Sequence, residues 1–255
     1  MILRRLSENL RAQNWTAISI EFVILVIGVF LGVQASNWNQ QRLERRETER
    51  MLVQLIPELE SQMGFFDSAK DYYATTRRYA DTALAGWNGD RSVSDEQFVI
   101  AAYQASQIYG IGTNAVNWTA ILGGDQLRNI DDPHLRRNLG LVLSADYDAV
   151  SFKSVATPYR EQVRHIIPIE VQDRIRNACG DRPPSDSQNL AILPKSCPLK
   201  LSPGEAASAA AALRARPDLP GELRWHLAAV AAFLANGELL DRPIRALHTD
   251  LLKRR

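Results

Sequence analysis

The sequence predicts an all-α chain: a single N-terminal transmembrane helix followed by an irregular antiparallel helical bundle. Three observations predict it. Ile18 to Val33 is apolar except for Ser19 and Glu21, with Trp15 before it and Trp38 after it. Helical periodicity dominates the rest of the chain, with capping signals where segments start. No run alternates apolar and polar residues convincingly, so no strand is expected.

From Trp15 to Trp38 a helix rises about 35 Å at roughly 1.5 Å per residue, enough to cross a hydrocarbon core about 30 Å thick with modest tilt. The two tryptophans suit the two interfaces, where an apolar ring with a polar N–H is comfortable. A buried core helix is the weaker reading, because few soluble helices are apolar on every side. A cleavable signal peptide is the stronger rival, since Val33-Gln34-Ala35 fits a small-x-small cleavage rule. Against it, the segment before the apolar run is long and a helical pattern continues directly after Ala35. Direction is not decided by positive charge. Arg4, Arg5 and Arg11 precede the span, while Arg42, Arg45, Arg46 and Arg50 follow it.

Cysteine usage bears on direction. Cys179 and Cys197 flank a Pro-rich irregular stretch, which suits a disulfide in an oxidising compartment; two unrelated reduced thiols are the alternative. A bridge would put the bulk of the chain outside the cytoplasm. The layout expected is therefore a cytoplasmic segment over 1–14, the span over 15–38, a charged helical stalk over 39–50, and an extracytoplasmic helical domain over 51–255. That domain carries an irregular loop over 180–201.

The run from Glu21 through Gly28 and Gly32 to Asn37-Trp38-Asn39 resembles the signature of a widespread family of uncharacterised bacterial single-pass inner-membrane proteins. A looser second match spans Trp118 to Leu139, and together the two cover roughly the first 150 residues. Pro57, inside the helix after the span, departs from that pattern and predicts a kink. The resemblance implies a bacterial inner-membrane location. It implies no activity, because the family's function is unknown.

Beyond the span, Leu52, Ile56, Leu59, Met63, Phe66, Tyr73, Ala80 and Leu84 recur at steps of three and four, a heptad seam interrupted by Lys70 and Arg77. Gln40 to Arg50 has almost no apolar face and reads as a solvated stalk. Trp87-Asn-Gly-Asp90 breaks the helix. Ser94-Asp-Glu-Gln97 and Ser202-Pro-Gly-Glu205 fit capping boxes, in which a Ser hydroxyl and a Gln or Glu side chain each satisfy an orphan backbone N–H. Asp132-Pro133 starts another helix, expected to continue towards Val155. Short helices are expected over 114–122 and 206–215. A further piece, 159–178, is weakened by Pro168. Glu222 to Ala235 is expected to end at Asn236-Gly237, before a last apolar face from Leu239 to Leu252.

Candidate chemistry is sparse. Thirty basic against 29 acidic residues leave no excess for nucleic acid. Glu21 is the sharpest feature, because a carboxylate in a bilayer is costly unless it reaches headgroups, water or a partner helix. Gly28 and Gly32 form a GxxxG motif, Ser36 extends the small-residue row, and Glu21 falls on about the same face. Those four residues are the expected helix-association surface. His134, His165, His226 and His248 lack metal-ligand spacing, so neither a metal nor another cofactor is expected. Asp131-Asp132 reads as helix capping. The Gly110-Ile-Gly112 and Gly123-Gly124 pairs lack a preceding strand and a phosphate-binding pattern. Tyr72, Tyr73, Tyr103, Tyr109 and Trp118 fit a core better than a ligand cleft.

The expected role is a membrane-anchored helical sensor, adaptor or scaffold without an active site. Its expected partners are the bilayer and either a second copy or another membrane protein. A membrane-tethered envelope enzyme with a site assembled from distant residues, and an accessory subunit of a transporter, are the alternatives.

Overall fold

A computed structural model describes residues 15–109, 126–182 and 191–254. Among the described residues it contains seven α-helices and no strand, which bears out the all-α class. The first helix, α1, runs unbroken from Trp15 to Trp87. It is followed by α2 (Asp95–Ala105), α3 (Pro133–Leu143), α4 (Pro158–Ile166), α5 (Ile169–Cys179), α6 (Pro203–Arg214) and α7 (Leu219–Leu252). Three 3₁₀ turns lie at Gln126–Asn129, Tyr147–Val150 and Phe152–Val155. The expected helix over 114–122, Trp118 and both glycine pairs lie outside the described residues.

Two different environments share α1. Its first part is apolar and exposed: no residue of the apolar window is buried within the chain. From Thr48 onward one side becomes buried, beginning with Leu52, Leu55, Ile56 and Leu59. The seam is wider than a strict heptad, because Phe65, Ala69, Tyr72, Thr76 and Ala83 are buried beside it. Partners on two sides explain that width: α2 and α7 both pack along α1. Both run antiparallel to it. Tyr109 donates its backbone N–H to the Tyr73 hydroxyl at 3.1 Å, and Phe98 reaches Gly86. On the other side Phe233 meets the Tyr73 ring edge-on at 5.4 Å, and His248 meets Glu60 at 3.1 Å.

The core has two parts stacked along α1. The part nearer the apolar segment joins Leu52 to Tyr73 with Leu135, Leu139 and Val142 of α3 and Phe233, Ile244 and Leu247 of α7. The farther part joins Ala80 and Ala83 with α2, with Tyr159, Val163 and Ile175, and with α6. Tyr79 packs against both. Each fully buried Leu or Phe contributes about 1.5–3 kcal/mol relative to exposure, so packing rather than propensity holds these short helices.

Local signals set most helix starts. Ser94 and Ser202 each complete a capping box, with Gln97 and Glu205 respectively. Asp132 caps α3 by accepting the N–H groups of His134 and Leu135, with Pro133 in the first turn. The break after Trp87 contains Gly89 at φ +76, a left-handed conformation that glycine adopts without penalty.

Several expected helix ends are corrected. The helix beginning at Pro133 stops at Leu143 and gives way to two 3₁₀ turns instead of reaching Val155. The piece expected over 159–178 is two helices, separated at Ile167-Pro168, because proline cannot donate to the preceding turn. The stop expected at Asn236-Gly237 is absent, and α7 continues through Gly237 and Pro243 to Leu252. Gly237 sits against Phe66, where an added Cβ would stand 3.3 Å from the ring. Close packing there, with Ile244, Leu247 and Leu251 buried beyond it, outweighs the local C-cap signal.

Among the described glycines, Gly86 makes the shortest contact in place of a side chain, since a Cβ there would overlap the Phe98 ring. Gly86→Ala is expected to destabilise the domain by about 1–3 kcal/mol through overpacking. Thermal melts followed by circular dichroism check this: adding Phe98→Leu should recover part of the loss, and an unchanged melting temperature in the single variant would remove the constraint.

Candidate functional site

The four expected association residues occupy the exposed segment of α1. Gly28 and Gly32 have nothing within 4 Å of the position a Cβ would take, and Ser36 is exposed. Glu21 is half-buried, and its Oε2 is covered without a hydrogen-bond partner. From Gly28 to Ser36 the stripe therefore faces outward, with two flat glycine positions at which another backbone can approach closely, while Glu21 at its start is partly covered.

A second feature lies in the domain. Cys179, at the end of α5, is bonded to Cys197, with Cα atoms 5.1 Å apart. Closing a loop of this size contributes about 3 kcal/mol in the chain-entropy model. The cross-link holds the segment after α5 against α1. Within it Arg182 and Ile192 form an isolated antiparallel bridge, and the Pro194 carbonyl accepts the Tyr79 hydroxyl at 2.8 Å. Between this segment and α1 is an open groove of about 370 Å³. Ser68, Asp71, Thr75 and Arg78 line it from α1, and Leu193 and Lys195 from the other wall. The groove thus offers donors, acceptors and both signs of charge beside one apolar wall.

Beside the groove is a polar junction that sequence reasoning missed. Arg160 donates to the Ser106 carbonyl at 2.7 Å, just past the end of α2. Arg164 donates to the Tyr103 hydroxyl at 2.7 Å, and its guanidinium lies 4.4 Å from the centre of that ring. Both reach the Gln107 Oε1. Two guanidinium groups at the C-terminal end of α2 oppose its negative dipole end. Burial and then the neighbouring Arg164 lower the Arg160 pKa.

Asp181 balances this charge. The residue is exposed overall while its carboxyl group is partly covered, and it accepts the Tyr72 hydroxyl at 2.8 Å. Burial raises its pKa, while Tyr72 and the two arginines pull it down. Burial, with Asp181 adding to it, pushes the Tyr72 phenol up, so Tyr72 serves as a donor and not as an acid. Gln104 donates to the Cys179 carbonyl at 2.6 Å and ties the cross-linked turn to α2. Arg160 and Arg164 stand four apart in sequence, a spacing too common to mark such a junction in advance.

The seam interruption has its own explanation. Lys70 lies 4.0 Å from Asp241 of α7, which is almost fully buried and accepts Arg245 at 2.7 Å. Arg245 also reaches Asp67 at 2.7 Å, so the charge breaking the heptad pattern belongs to a network across the α1–α7 contact. The tyrosines expected in the core are there: Tyr72, Tyr73, Tyr103 and Tyr109 are all buried. Of the Asp131-Asp132 pair, only Asp132 caps α3; Asp131 pairs with Arg45 of the stalk at 3.3 Å.

The histidines are dispersed. His134 stands near Asp250 at 3.4 Å, His165 is exposed, and His248 faces Glu60. Among the described residues no group of three His, Cys, Asp or Glu side chains has metal-binding geometry. His226 is buried, with Nδ1 2.8 Å from the Thr157 hydroxyl. Burial first and Arg160 second lower its pKa from 6.5 to about 4. No protein-family model, curated protein or solved structure matches the chain.

Because the unfolded chain protonates His226 first, its contribution to stability is whole above about pH 6.5 and declines as pH falls towards 4. The full loss is about 3 kcal/mol. Urea denaturation of the protein at a series of pH values measures it. His226→Gln should flatten the decline across this window, and a variant that keeps the wild-type slope would assign the effect to other groups.

Proposed function

We propose that this chain is a single-pass protein of the bacterial inner membrane, related to the family its Glu21-to-Asn39 run resembles. Its N-terminus is cytoplasmic, its helical domain lies outside, and its role is that of a sensor that self-associates through the span. The carrying observation is the continuity of α1: one helix includes an apolar, exposed segment and the central helix of the domain, with no break between them. The Cys179–Cys197 bridge supports the outside assignment, since such bonds persist in oxidising compartments. The groove supports a sensor over a passive scaffold. A ligand resting on Ser68, Thr75 or Arg78 touches the same helix that enters the membrane.

Two measurements test the reading. Alkaline phosphatase fused after Arg255 should be active and green fluorescent protein at the same place dark; the reverse pattern would put the domain in the cytoplasm. Gly28→Ile combined with Gly32→Ile should lower in-membrane cross-linking of two copies several-fold, because the bulky side chains hold the backbones apart. Undiminished cross-linking would remove self-association through this stripe.

A further inference from the structure

Directly after the apolar segment, α1 carries Trp38, Arg42, Arg46 and Arg50 in a row four residues apart, so that they stand above one another on one side of the helix. All four are exposed. Arg46 and Arg50 point away from the face that the domain covers from Thr48 and Leu52 onward, Arg42 stands at its edge, and Trp38 shares the bearing of buried Ile56 about five turns further along. The Arg42 guanidinium lies 5.7 Å from the centre of the Trp38 ring. Among the described residues no carboxylate forms an ion pair with Arg42, Arg46 or Arg50. The nearby acids are otherwise engaged or make no ion pair with the row. Glu44 accepts from Gln40 at 3.1 Å, Asp131 holds Arg45 and Asp132 pairs with Arg254; Glu47 lies on the flank beside Arg50, and Glu49 lies on the side of Arg42, two turns along, where among the described residues it forms no ion pair with the row.

Three like charges at successive i, i+4 positions oppose helix formation. A solvated stalk gains nothing from that arrangement. An anionic surface at the height of Trp38 turns the cost into a contact. We infer that the Arg42–Arg46–Arg50 row is a docking surface for the anionic phospholipid headgroups of the leaflet from which α1 emerges. This inference rests on the membrane-spanning reading above.

Geometry grades the three contributions. Arg42 stands about 6 Å beyond Trp38 along the helix, Arg46 about 12 Å and Arg50 about 18 Å. Side chains on a helix lean towards its N-terminus, here towards the membrane, which brings each guanidinium closer. The surface potential decays over a Debye length of about 8 Å at physiological salt. Arg42 therefore contributes most and Arg50 least, with about a five-fold gain in anionic-lipid preference for an arginine at the surface. Trp38 beneath Arg42 places an aromatic ring at the boundary itself.

The test uses the full-length protein in vesicles of phosphatidylcholine containing either brominated phosphatidylglycerol or brominated phosphatidylcholine. A background with Trp15→Phe and Trp118→Phe leaves Trp38 as the tryptophan beside the apolar segment, with Trp87 and Trp225 in the far half of the domain. Stronger quenching by the brominated anionic lipid, falling with added salt, is the expected result. Arg42→Gln should reduce that preference about five-fold, Arg46→Gln less and Arg50→Gln least. The triple Lys variant should keep most of the preference, and Arg137→Gln, on the domain and off the row, should leave it unchanged. Equal quenching by the two lipids, or a preference that survives the triple Gln variant, would overturn the headgroup contact while leaving the span intact. Absence of quenching by either lipid would instead overturn the span itself, and the docking surface with it.

Discussion

The packing of α7 and α2 onto opposite flanks of α1 is the constraint on which the rest of the domain depends. Most of the short helices are too brief to persist alone, and none packs its apolar face except through this three-helix arrangement or onto it. The near half of the core closes α3 and α7 over Leu52 to Tyr73, and the far half closes α4, α5 and α6 over α2. Tyr72 and Tyr73 sit where the halves meet. Their rings join Tyr109 and Phe233 in edge-on contacts, and their hydroxyls bond to Asp181 and to the Tyr109 backbone. Aromatic side chains suit that position because one end packs and the other satisfies a buried polar group.

Charge within this framework is placed where removing one partner costs more than the pair contributes. Asp241 is nearly fully buried and leans on Arg245, with Lys70 at longer range. Arg160 and Arg164 are held by the carbonyl and side-chain oxygens at the end of α2. Such contacts add modest net stability, but they specify register, because sliding α7 or α4 by a turn strands a charge. The disulfide has a comparable role by covalent means. It fixes the turn after α5 so that Asp181 meets Tyr72 and the Pro194 carbonyl meets Tyr79.

Much of this was legible in the sequence because local chemistry writes it there. The apolar run, the two capping boxes, the Asp132-Pro133 start and the seam residues from Leu52 to Ala80 each depend on neighbours within a turn or two. What was not legible depends on distant neighbours. Asn236-Gly237 has the composition of a helix end, yet Phe66, far away in sequence, holds it helical. The Lys70 interruption of the seam is explained only by Asp241, which stands opposite it on α7. Arg160, Arg164 and Asp181 are ordinary surface residue types at unremarkable spacings, and only the fold brings them to Tyr72 and Tyr103.

The arginine row and the small-residue stripe of α1 have a joint consequence. Counted at about 100° per residue, Arg46 and Gly28 point the same way, and both face roughly opposite to the side that meets the domain. Two copies joined through Gly28 and Gly32 would turn six guanidinium groups towards one another just outside the membrane. A pair of straight, parallel stalks would therefore resist its own formation. Crossing at a steep right-handed angle of about 40°, as helices of this motif do, separates the stalks before the arginines meet and carries the two domains to opposite flanks. In such a pair, repulsion between the stalks would act on the crossing angle of the apolar segments, and any counterion entering between the stalks would let that angle relax.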